Sequence, residues 1–439
     1  MTPAARLAAA ADILDILKGT RKAAEEVLKD WGRNHRYAGS KDRRAIADKV
    51  YQALRAREHL SVVMKSDSGR SLILGALHLL DGVAIDEIDQ LYTGEGYAPP
   101  KLSLAERNQL LAGGGDASEG TQAGLPAFVS ERLQAIYGDD WLTEAQGLMQ
   151  ERAPIDLRVN GDREPIRQGL EMLGYKPELT PFSAFGLRLP ADPPPNVRAL
   201  PAFRQGGIEI QDEGSQLAAF LAGAKPGMTV VDYCAGGGGK TLGLLQAMQA
   251  PNGKTSGALI AADVEKTRLN NIKPRLARAG LEAEFRQLGA DGEGLEDLEG
   301  KADVVLVDAP CSGSGVWRRR PETAHKLTEE EVARLHELQS AILRQASRLV
   351  KPGGLLAYVT CSILPDENEM TADRFESDHP QFAPRPIADA VKVPQITAEG
   401  GDALIKIAET TDKRGHRLRL TPASSHTDGF FVSLYQRKA

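Results

Sequence analysis

The chain has 439 residues, and at about 150 residues per domain this length predicts about three domains and excludes a single small one. Hydrophobic residues make up 41% and charged residues 26%, which excludes disordered and collagen-like chains. A formal net charge of -6 excludes a protein that is basic throughout, although local basic patches remain compatible with it.

Cysteine usage and hydropathy indicate the compartment. Cys234, Cys311 and Cys361 form no CxxC pair, so neither a metal cluster nor a disulfide framework is expected. No run of about 18 apolar residues occurs, and Asp12 and Asp15 interrupt the Ala-rich start. We therefore expect a cytoplasmic protein without a membrane partner. We also expect a monomer.

The first 90 residues read as helical and basic. Ile13, Leu14 and Leu17 recur at helical spacing, and residues 1–60 hold 13 Lys and Arg against 8 Asp and Glu, a net of +5. Either a solvated helical face or an RNA-binding surface accounts for this charge. Gly, Pro, Ser and Ala dominate from Tyr92 to Gly124, with Gly113, Gly114 and Gly115 in a row, which predicts a linker or domain boundary.

Two different patterns follow this boundary. Helices near 131–137 and 165–173 and strands near 156–160 and 186–189 predict a small α+β module, which Pro193, Pro194 and Pro195 end. After Gln211, helical patterns alternate with short apolar runs at 229–231, 259–262, 304–307 and 355–359. Such alternation predicts βαβ units and a doubly wound parallel sheet. Thr328 and Glu331 predict a helix start, and Gly353 with Gly354 its end.

The residues after these strands lie where an open α/β sheet binds ligands. Cys234, Ala235 and the run Gly236, Gly237, Gly238 and Gly239 precede Lys240-Thr241, but Cys234 stands where a P-loop needs its first glycine. A strict dinucleotide motif also fails. A nucleoside site for S-adenosylmethionine fits, with Asp263 as the acid for the ribose, although such a turn is often only a tight turn.

All three cysteines directly follow predicted strands. A free cysteine is usually a small buried apolar residue, but three at the ligand end of one sheet favour chemistry. Cys311 and Cys361 each begin a Ser-containing loop. A thiolate there could attack an electron-poor ring carbon.

These motifs carry a family resemblance. Asp232 to Thr241, Asp308-Ala309-Pro310-Cys311-Ser312-Gly313, Thr360-Cys361-Ser362 and Asp428-Gly429-Phe430-Phe431 resemble the motifs of the RsmB/NOP/Sun family of RNA cytosine-5 methyltransferases. The family usually has Ala-Pro-Gly-Gly where this chain has Ala235 and the glycine run. Residues 38–44 and 50–51 resemble the NusB-like domain of RsmB-type members, and residues 153–160 resemble the start of their small α+β RNA-binding module.

The resemblance implies a fold, domains and an activity. It implies an α/β Rossmann-like class I methyltransferase domain at 206–439, preceded by an all-α NusB-like RNA-binding domain with linker at 1–120 and a small α+β RNA-binding module at 121–205. The implied activity is transfer of a methyl group from S-adenosylmethionine to C5 of a cytosine in RNA, with rRNA expected and tRNA as the alternative.

The resemblance also implies residue roles. Cys361 would attack cytosine C6, Cys311 would assist product release, and Asp308 would hydrogen-bond the ring near N3. Asp263 would hold the ribose of the cofactor, and Asp291 would lie by the adenine or is only a turn residue. Asp308 would also contact the cofactor. The remaining contacts would come from the loop of Cys234, Ala235, Gly236, Gly237, Gly238, Gly239 and Lys240. Arg318, Arg319 and Arg320 are the candidate phosphate contacts.

Two other functions stay open. One is a methyltransferase acting on protein or a small molecule, which would not require two cysteines at strand ends. The other is an RNA-binding assembly factor without activity, which would be expected to lack Cys361 or Asp308, yet both are present.

Overall fold

The computed structural model describes residues 1–113, 117–149, 152–191, 195–250 and 253–439. It forms two compact units, which we call the helical unit (Met1–Glu151 and Val316–Leu327) and the α/β unit (Arg152–Gly315 and Thr328–Ala439). Gly114, Gly115, Pro193 and Pro194, on which the predicted boundaries partly rest, lie outside the described residues.

The helical unit confirms the helical pattern of the opening segment. Its helices are α1 (Pro3–Lys18), α2 (Ala24–Asn34), α3 (Ser40–Arg55), α4 (Arg57–Met64), α5 (Gly69–Gly75), α6 (Ile85–Leu91), α7 (Leu104–Ala112), α8 (Glu119–Gln122), α9 (Ala127–Tyr137) and α10 (Trp141–Met149). Ile13, Leu14 and Leu17 of α1 are buried in one core with Ile46 and Val50 of α3.

Part of the predicted linker is regular structure. Helices α7 and α8 lie between Tyr92 and Gly124, and both belong to the helical unit. Helix α7 begins at a capping box, in which the Ser103 side chain accepts from the Glu106 amide and the Glu106 carboxylate accepts from the Ser103 amide. Composition alone predicted a linker here, because it does not take account of the capping box that starts this helix.

A small antiparallel sheet opens the α/β unit. Its elements are β1 (Ile155–Val159), α11 (Arg163–Met172), β2 (Glu178–Leu179), β3 (Gly186–Leu189), α12 (Pro201–Arg204) and β4 (Ile208–Ile210), and the strand order is β2-β3-β1-β4. Leu157, Val159, Leu187 and Ile208 fill its own core. The two strands predicted in this segment correspond to β1 and β3.

The remaining elements build a larger sheet. They are α13 (Glu213–Leu221), β5 (Thr229–Tyr233), α14 (Gly239–Ala247), β6 (Ala258–Asp263), α15 (Lys266–Ala279), β7 (Glu284–Gln287), β8 (Ala302–Asp308), α16 (Glu329–Ser347), β9 (Val350–Thr360), α17 (Glu369–Asp378), β10 (Phe382–Pro384), α18 (Ile387–Ala390), α19 (Ala398–Thr411), β11 (Arg417–Leu420), α20 (Pro422–Ser425) and β12 (Phe430–Arg437). The strand order is β10-β12-β9-β8-β5-β6-β7, and β11 pairs with β12.

The predicted parallel, doubly wound sheet is confirmed. The five strands in the order β9-β8-β5-β6-β7 are parallel to one another, and the chain runs outward in both directions from β5. Both faces are covered: Val230 packs in one core, whereas Val231 and Tyr233 pack in the other. Burial on both faces explains why the strands read as continuous apolar runs.

Two details differ from the sequence interpretation. Strands β10, β11 and β12 add an antiparallel edge, which the four apolar runs did not predict. Helix α16 begins as predicted, with the Thr328 hydroxyl accepting from the Glu331 amide, but it ends at Ser347. Gly353 and Gly354 lie instead in β9, where its pairing with β8 shifts register.

Candidate active site

The glycine-rich loop joins β5 to α14 at the carboxyl end of the sheet. Gly236 and Gly238 have φ values of 55° and 79°, in the left-handed region that glycine adopts without steric cost. A Cβ atom on Gly238 would lie 2.6 Å from Ile272, so close packing also requires glycine there. Cys234 has a positive φ of 71° as well, which begins the sharp turn directly after the strand.

Asp263 ends the neighbouring strand β6 and is fixed against this loop. Its side chain is buried, and its carboxylate accepts hydrogen bonds from the amides of Gly236 and Glu265, both at 2.9 Å. The Arg268 guanidinium lies 3.7 Å from the same carboxylate. The structure thus brings the predicted acid and the predicted loop together.

Lys240 and Asp308 form an ion pair at the same end of the sheet. The Lys240 ammonium lies 2.8 Å from the Asp308 carboxylate and 5.1 Å from the ring centre of Phe430. Burial alone would lower the pKa of Lys240, but the charge and hydrogen bond of Asp308 outweigh it, so the pKa is raised. A buried, charged lysine therefore holds one carboxylate oxygen of Asp308.

The two cysteines meet at the ends of adjacent parallel strands. Cys311 follows β8 and Cys361 follows β9, and their sulfur atoms are 3.4 Å apart, within hydrogen-bond distance for thiols. Both are free cysteines. The amide of Gly315 donates to the carbonyl oxygen of Cys361 at 2.9 Å, which ties the two loops by their main chains.

The surroundings disfavour ionisation of Cys311. The pKa of Cys311 is raised well above its usual value, mainly by its hydrogen bond with Cys361. Burial and the charges of Cys361 and Glu367 raise it further. Burial, assisted by Asp263 and Asp308, also raises the pKa of Cys234. A thiol, not a thiolate, is therefore expected at Cys311 and Cys234 near neutral pH.

Two groups of residues at this site had no role in the sequence interpretation. Glu367, which is completely buried, accepts hydrogen bonds from Ser312 and Ser362, the residues that follow the two cysteines. Gly315 and Gly429 pack backbone to backbone, and the Gly429 amide donates to the Gly315 carbonyl oxygen at 2.8 Å. The sequence signals were the acidic run after Cys361 and the Asp428-Gly429 dipeptide, but spacing alone does not show which loops such residues join.

Asp291 lies beyond the end of β7 and faces a different set of residues. Its amide donates to the Glu293 carboxylate, and it lines a small cleft with Tyr233 and Gln345. Within the part of the chain that the structure describes, its hydrogen bond and its cleft do not involve the glycine loop. Its contact with the adenine stays a prediction.

Burial changes the list of candidate RNA contacts. Arg318 is only 3% exposed, so the expectation that its side chain contacts phosphates is wrong for the folded chain. Arg319 is partly buried and Arg320 is exposed, and for these two the role stays a prediction. Near the C-terminal edge of the sheet, Arg417 and Arg419 form ion pairs with the α17 carboxylates of Glu376 and Glu369.

Within the five described ranges, no three or more His, Cys, Asp or Glu side chains are grouped so that they could hold a metal ion. Among the helices in those ranges, none combines the length and apolar character needed to span a bilayer.

Comparisons with known proteins point in one direction. The family model described as 16S rRNA methyltransferase RsmB/F matches residues 219–436. The probable ribosomal RNA small subunit methyltransferase B of Coxiella burnetii is 32% identical over 338 residues, which cover 75% of this chain and 72% of that protein. The ribosomal RNA small subunit methyltransferase B of Enterobacter sp. is 32% identical over 316 residues, 70% of this chain and 65% of that one.

Solved structures share the architecture. The crystal structure of PH0851 has a TM-score of 0.74 and 24% identity and covers 100% of this chain and 99% of its own, which shows a common fold. NSun6 from Pyrococcus horikoshii, solved with SFG, has a TM-score of 0.58 and 19% identity over 72% of this chain and 98% of its own. With the sequence relatives, these findings show that the chain belongs to the RsmB/F family of 16S rRNA methyltransferases.

Proposed function

We propose that this protein methylates C5 of a cytosine in RNA, with S-adenosylmethionine as the methyl donor and 16S rRNA as the substrate. The observation that carries the proposal is the pair of thiols, Cys311 and Cys361, 3.4 Å apart at the ligand end of the parallel sheet. Methyl transfer to a nucleophilic oxygen or nitrogen requires no thiol. Methyl transfer to a ring carbon without a lone pair requires a covalent activator.

The residues present fit the proposed cofactor. Each oxygen of the Asp263 carboxylate accepts one amide and keeps a further lone pair for a ribose hydroxyl. A Cβ atom on Gly237 or Gly239 would meet no other heavy atom within 3.6 Å, so the loop leaves room for a ligand against its backbone. Bound there, S-adenosylmethionine would supply a methyl group on a positively charged sulfur. The relative solved with SFG, an analogue of this cofactor, supports the assignment.

The chemistry at the ring is assigned to the chain's own residues. The Cys361 thiolate gives its electron pair to form an S–C6 bond, and the C5–C6 π electrons move into the ring and make C5 nucleophilic. After C5 is methylated, the C5 proton leaves to a base, the S–C6 bond breaks, and the sulfur regains its electron pair. Asp308, held by Lys240, contacts the ring near N3, and Cys311 assists the release.

RNA binding is assigned to the parts of the chain outside the thiol site. In this proposal the NusB-like domain at 1–120 and the module at 121–205 bind RNA, and Arg319 and Arg320 contact phosphates. The net charge of +5 over residues 1–60 supports this assignment. Affinity should then fall as salt is added, because phosphate contacts release counterions.

Nucleoside analysis tests the proposal directly. The purified protein is incubated with S-adenosylmethionine and unmodified 16S rRNA or tRNA, and the RNA is digested and analysed by mass spectrometry. We expect 5-methylcytidine in 16S rRNA, none with Cys361→Ala, and wild-type yield with Asp402→Ala, a change at an exposed side chain on α19, outside the thiol site and the proposed RNA-binding segments. A methylated base other than 5-methylcytidine, or full yield with Cys361→Ala, would contradict the proposal, and methylation of tRNA alone would assign the alternative substrate.

A further inference from the structure

We propose that Glu367 is the positioning residue of the two-cysteine site: it ties the loop of Cys311 to the loop of Cys361 and separates the roles of the two thiols. The inference deepens the proposed function and rests on it for the meaning of those roles. The structural part concerns the thiols themselves, so it can be measured without RNA or cofactor.

The Glu367 carboxylate bridges the two loops through their serines. Its Oε1 atom accepts from the Ser312 amide at 2.8 Å, and its Oε2 atom accepts from the Ser312 and Ser362 hydroxyls, both at 2.5 Å. Ser312 follows Cys311 and Ser362 follows Cys361 in the chain. A single buried group therefore bonds to both segments that carry the thiols, in addition to the main-chain hydrogen bond from Gly315 to Cys361.

Neighbouring residues fix the bridge from behind. The Gln339 side-chain amide donates to Glu367 Oε1 at 3.0 Å and to the carbonyl oxygen of Pro310, the residue before Cys311, also at 3.0 Å. The Asn368 side-chain amide donates to the Ser362 carbonyl oxygen at 2.9 Å and its oxygen accepts from the Thr360 hydroxyl at 2.6 Å. Both cysteines thus lie between residues that this network holds.

The Glu367 carboxylate accepts all four of these hydrogen bonds, two from Ser312 and one each from Ser362 and Gln339. Two of these donors, the Ser312 amide and the Gln339 amide, cannot reverse their direction, whereas the two hydroxyls can rotate. Glutamine at this position could therefore keep all four contacts, with its oxygen at Oε1 and its NH2 group donating to the hydroxyls. The charge would be lost while the bridge remained.

The negative charge of Glu367 makes the electrostatic surroundings of Cys311 and Cys361 different. Glu367 is one of the groups that raise the pKa of Cys311, after the hydrogen bond with Cys361 and burial. The positive Lys240, paired with Asp308, interacts electrostatically with Cys361. A further ionisable group that interacts with Cys311 and Glu367 is Tyr358, whose burial raises its own pKa. A negative group therefore lies beside the Cys311 sulfur, whereas a positive group interacts with Cys361, so the two thiols have opposite electrostatic surroundings.

The test is the rate at which each cysteine is alkylated by iodoacetamide, measured peptide by peptide at pH 8.5 in the full chain. In Glu367→Gln we expect Cys311 to react about tenfold faster than in the wild type, which corresponds to about one pH unit in its titration. We expect the melting temperature to change little and kcat for methylation to fall while KM is kept. Glu337→Gln, an exposed carboxylate on α16, is the matched control and should change none of these.

Two further variants keep the test decisive. Ser362→Ala removes one link and leaves the carboxylate charged, so it should lower kcat without accelerating Cys311 alkylation; it also replaces Glu367→Gln if that variant does not fold. Unchanged Cys311 alkylation together with unchanged kcat in Glu367→Gln would overturn the proposal, as would wild-type kcat in Ser362→Ala. A protein that never forms 5-methylcytidine but shows the alkylation change would refute the proposed function and retain the positioning role.

Discussion

At the scale of single residues, the partners of a side chain decide what it can do, even where two side chains hold equivalent positions in the sheet. Asp263 and Asp308 both end parallel strands, but their surroundings differ. Asp263 is buried and receives two backbone amides, whereas the Asp308 side chain is 31% exposed and receives the Lys240 ammonium. Asp263 is thus hydrogen-bonded to the glycine loop, whereas part of the Asp308 carboxylate remains accessible to a substrate.

Replacing Asp263 tests the cofactor site. Asp263→Ala removes the acceptor proposed for the ribose and the two hydrogen bonds to the Gly236 and Glu265 amides. We expect the dissociation constant of S-adenosylmethionine, measured by calorimetry, to rise by about 10- to 100-fold, since hydrogen bonds to charged groups contribute about 1.5–3 kcal/mol. Glu282→Gln, an exposed carboxylate outside the site, should leave it unchanged. An unaltered affinity in Asp263→Ala would refute the ribose role.

At the scale of elements, the loop after β8 is held by the segment before β12. A Cβ atom on Gly315 would lie 2.1 Å from the Gly429 carbonyl oxygen, and one on Gly429 would lie 2.6 Å from the Gly315 Cα atom. The Asp428 amide is held in turn by the carboxylate of Asp212, at the N-terminus of α13. The approach of two glycine backbones therefore fixes the position of the Cys311 loop.

The close approach of Gly315 and Gly429 predicts that position 429 does not tolerate a side chain. Gly429→Ala forces the two backbones apart, so we expect a loss of about 1–3 kcal/mol in stability, by analogy with overpacked cores, and a larger relative loss in methylation. Gly169→Ala is the matched control: its Cβ atom would meet nothing within 4 Å in helix α11, and it should stabilise the chain slightly. A Gly429→Ala protein with wild-type melting temperature and activity would show that the contact is not required.

Local patterns predicted the elements better than the contacts between them. The apolar runs at 229–231 and 304–307 identified β5 and β8, because strands buried on both faces need continuous apolar sequence. The edge strand β12 and the bridge from Glu367 to both serine loops depend on residues far apart in the chain, which no local period encodes. The burial of Arg318 was missed for the same reason: three consecutive arginines look alike until their partners are known.

At the scale of the whole molecule, the helical unit is completed by a distant segment. The chain leaves the α/β unit after Gly315 and contributes Val316–Leu327 to the helical unit. There the Glu322 carboxylate accepts from the Ala24 amide at 3.1 Å, and the Lys326 ammonium donates to the carbonyl oxygens of Leu17 and Thr20. The stretch that directly follows the Cys311 loop is therefore part of the fold of the N-terminal helices.

His325, which lies in this segment, predicts that the stability of the protein falls in acid. Burial first, and then the charges of Arg57 and Lys326, lower the pKa of His325 to about 3. Because an unfolded histidine titrates near 6.5, the neutral form contributes stability above about pH 6.5, and this is lost progressively as the pH falls towards about 3. We expect the melting temperature to fall less between pH 7 and pH 5 in His325→Gln than in the wild type. His379→Gln serves as the control, and an identical fall in both variants would contradict the assignment.

Covalent capture tests the central claim, that Cys361 attacks the cytosine ring while Cys311 assists release. Cys311→Ala protein is incubated with 16S rRNA and S-adenosylmethionine, separated under denaturing conditions, and digested for peptide mass spectrometry. We predict a protein–RNA species in which a cytosine-derived mass is attached to Cys361, and none when Cys361 is replaced as well. No adduct with an RNA that the wild type methylates, or an adduct at a residue other than Cys361, would contradict the account.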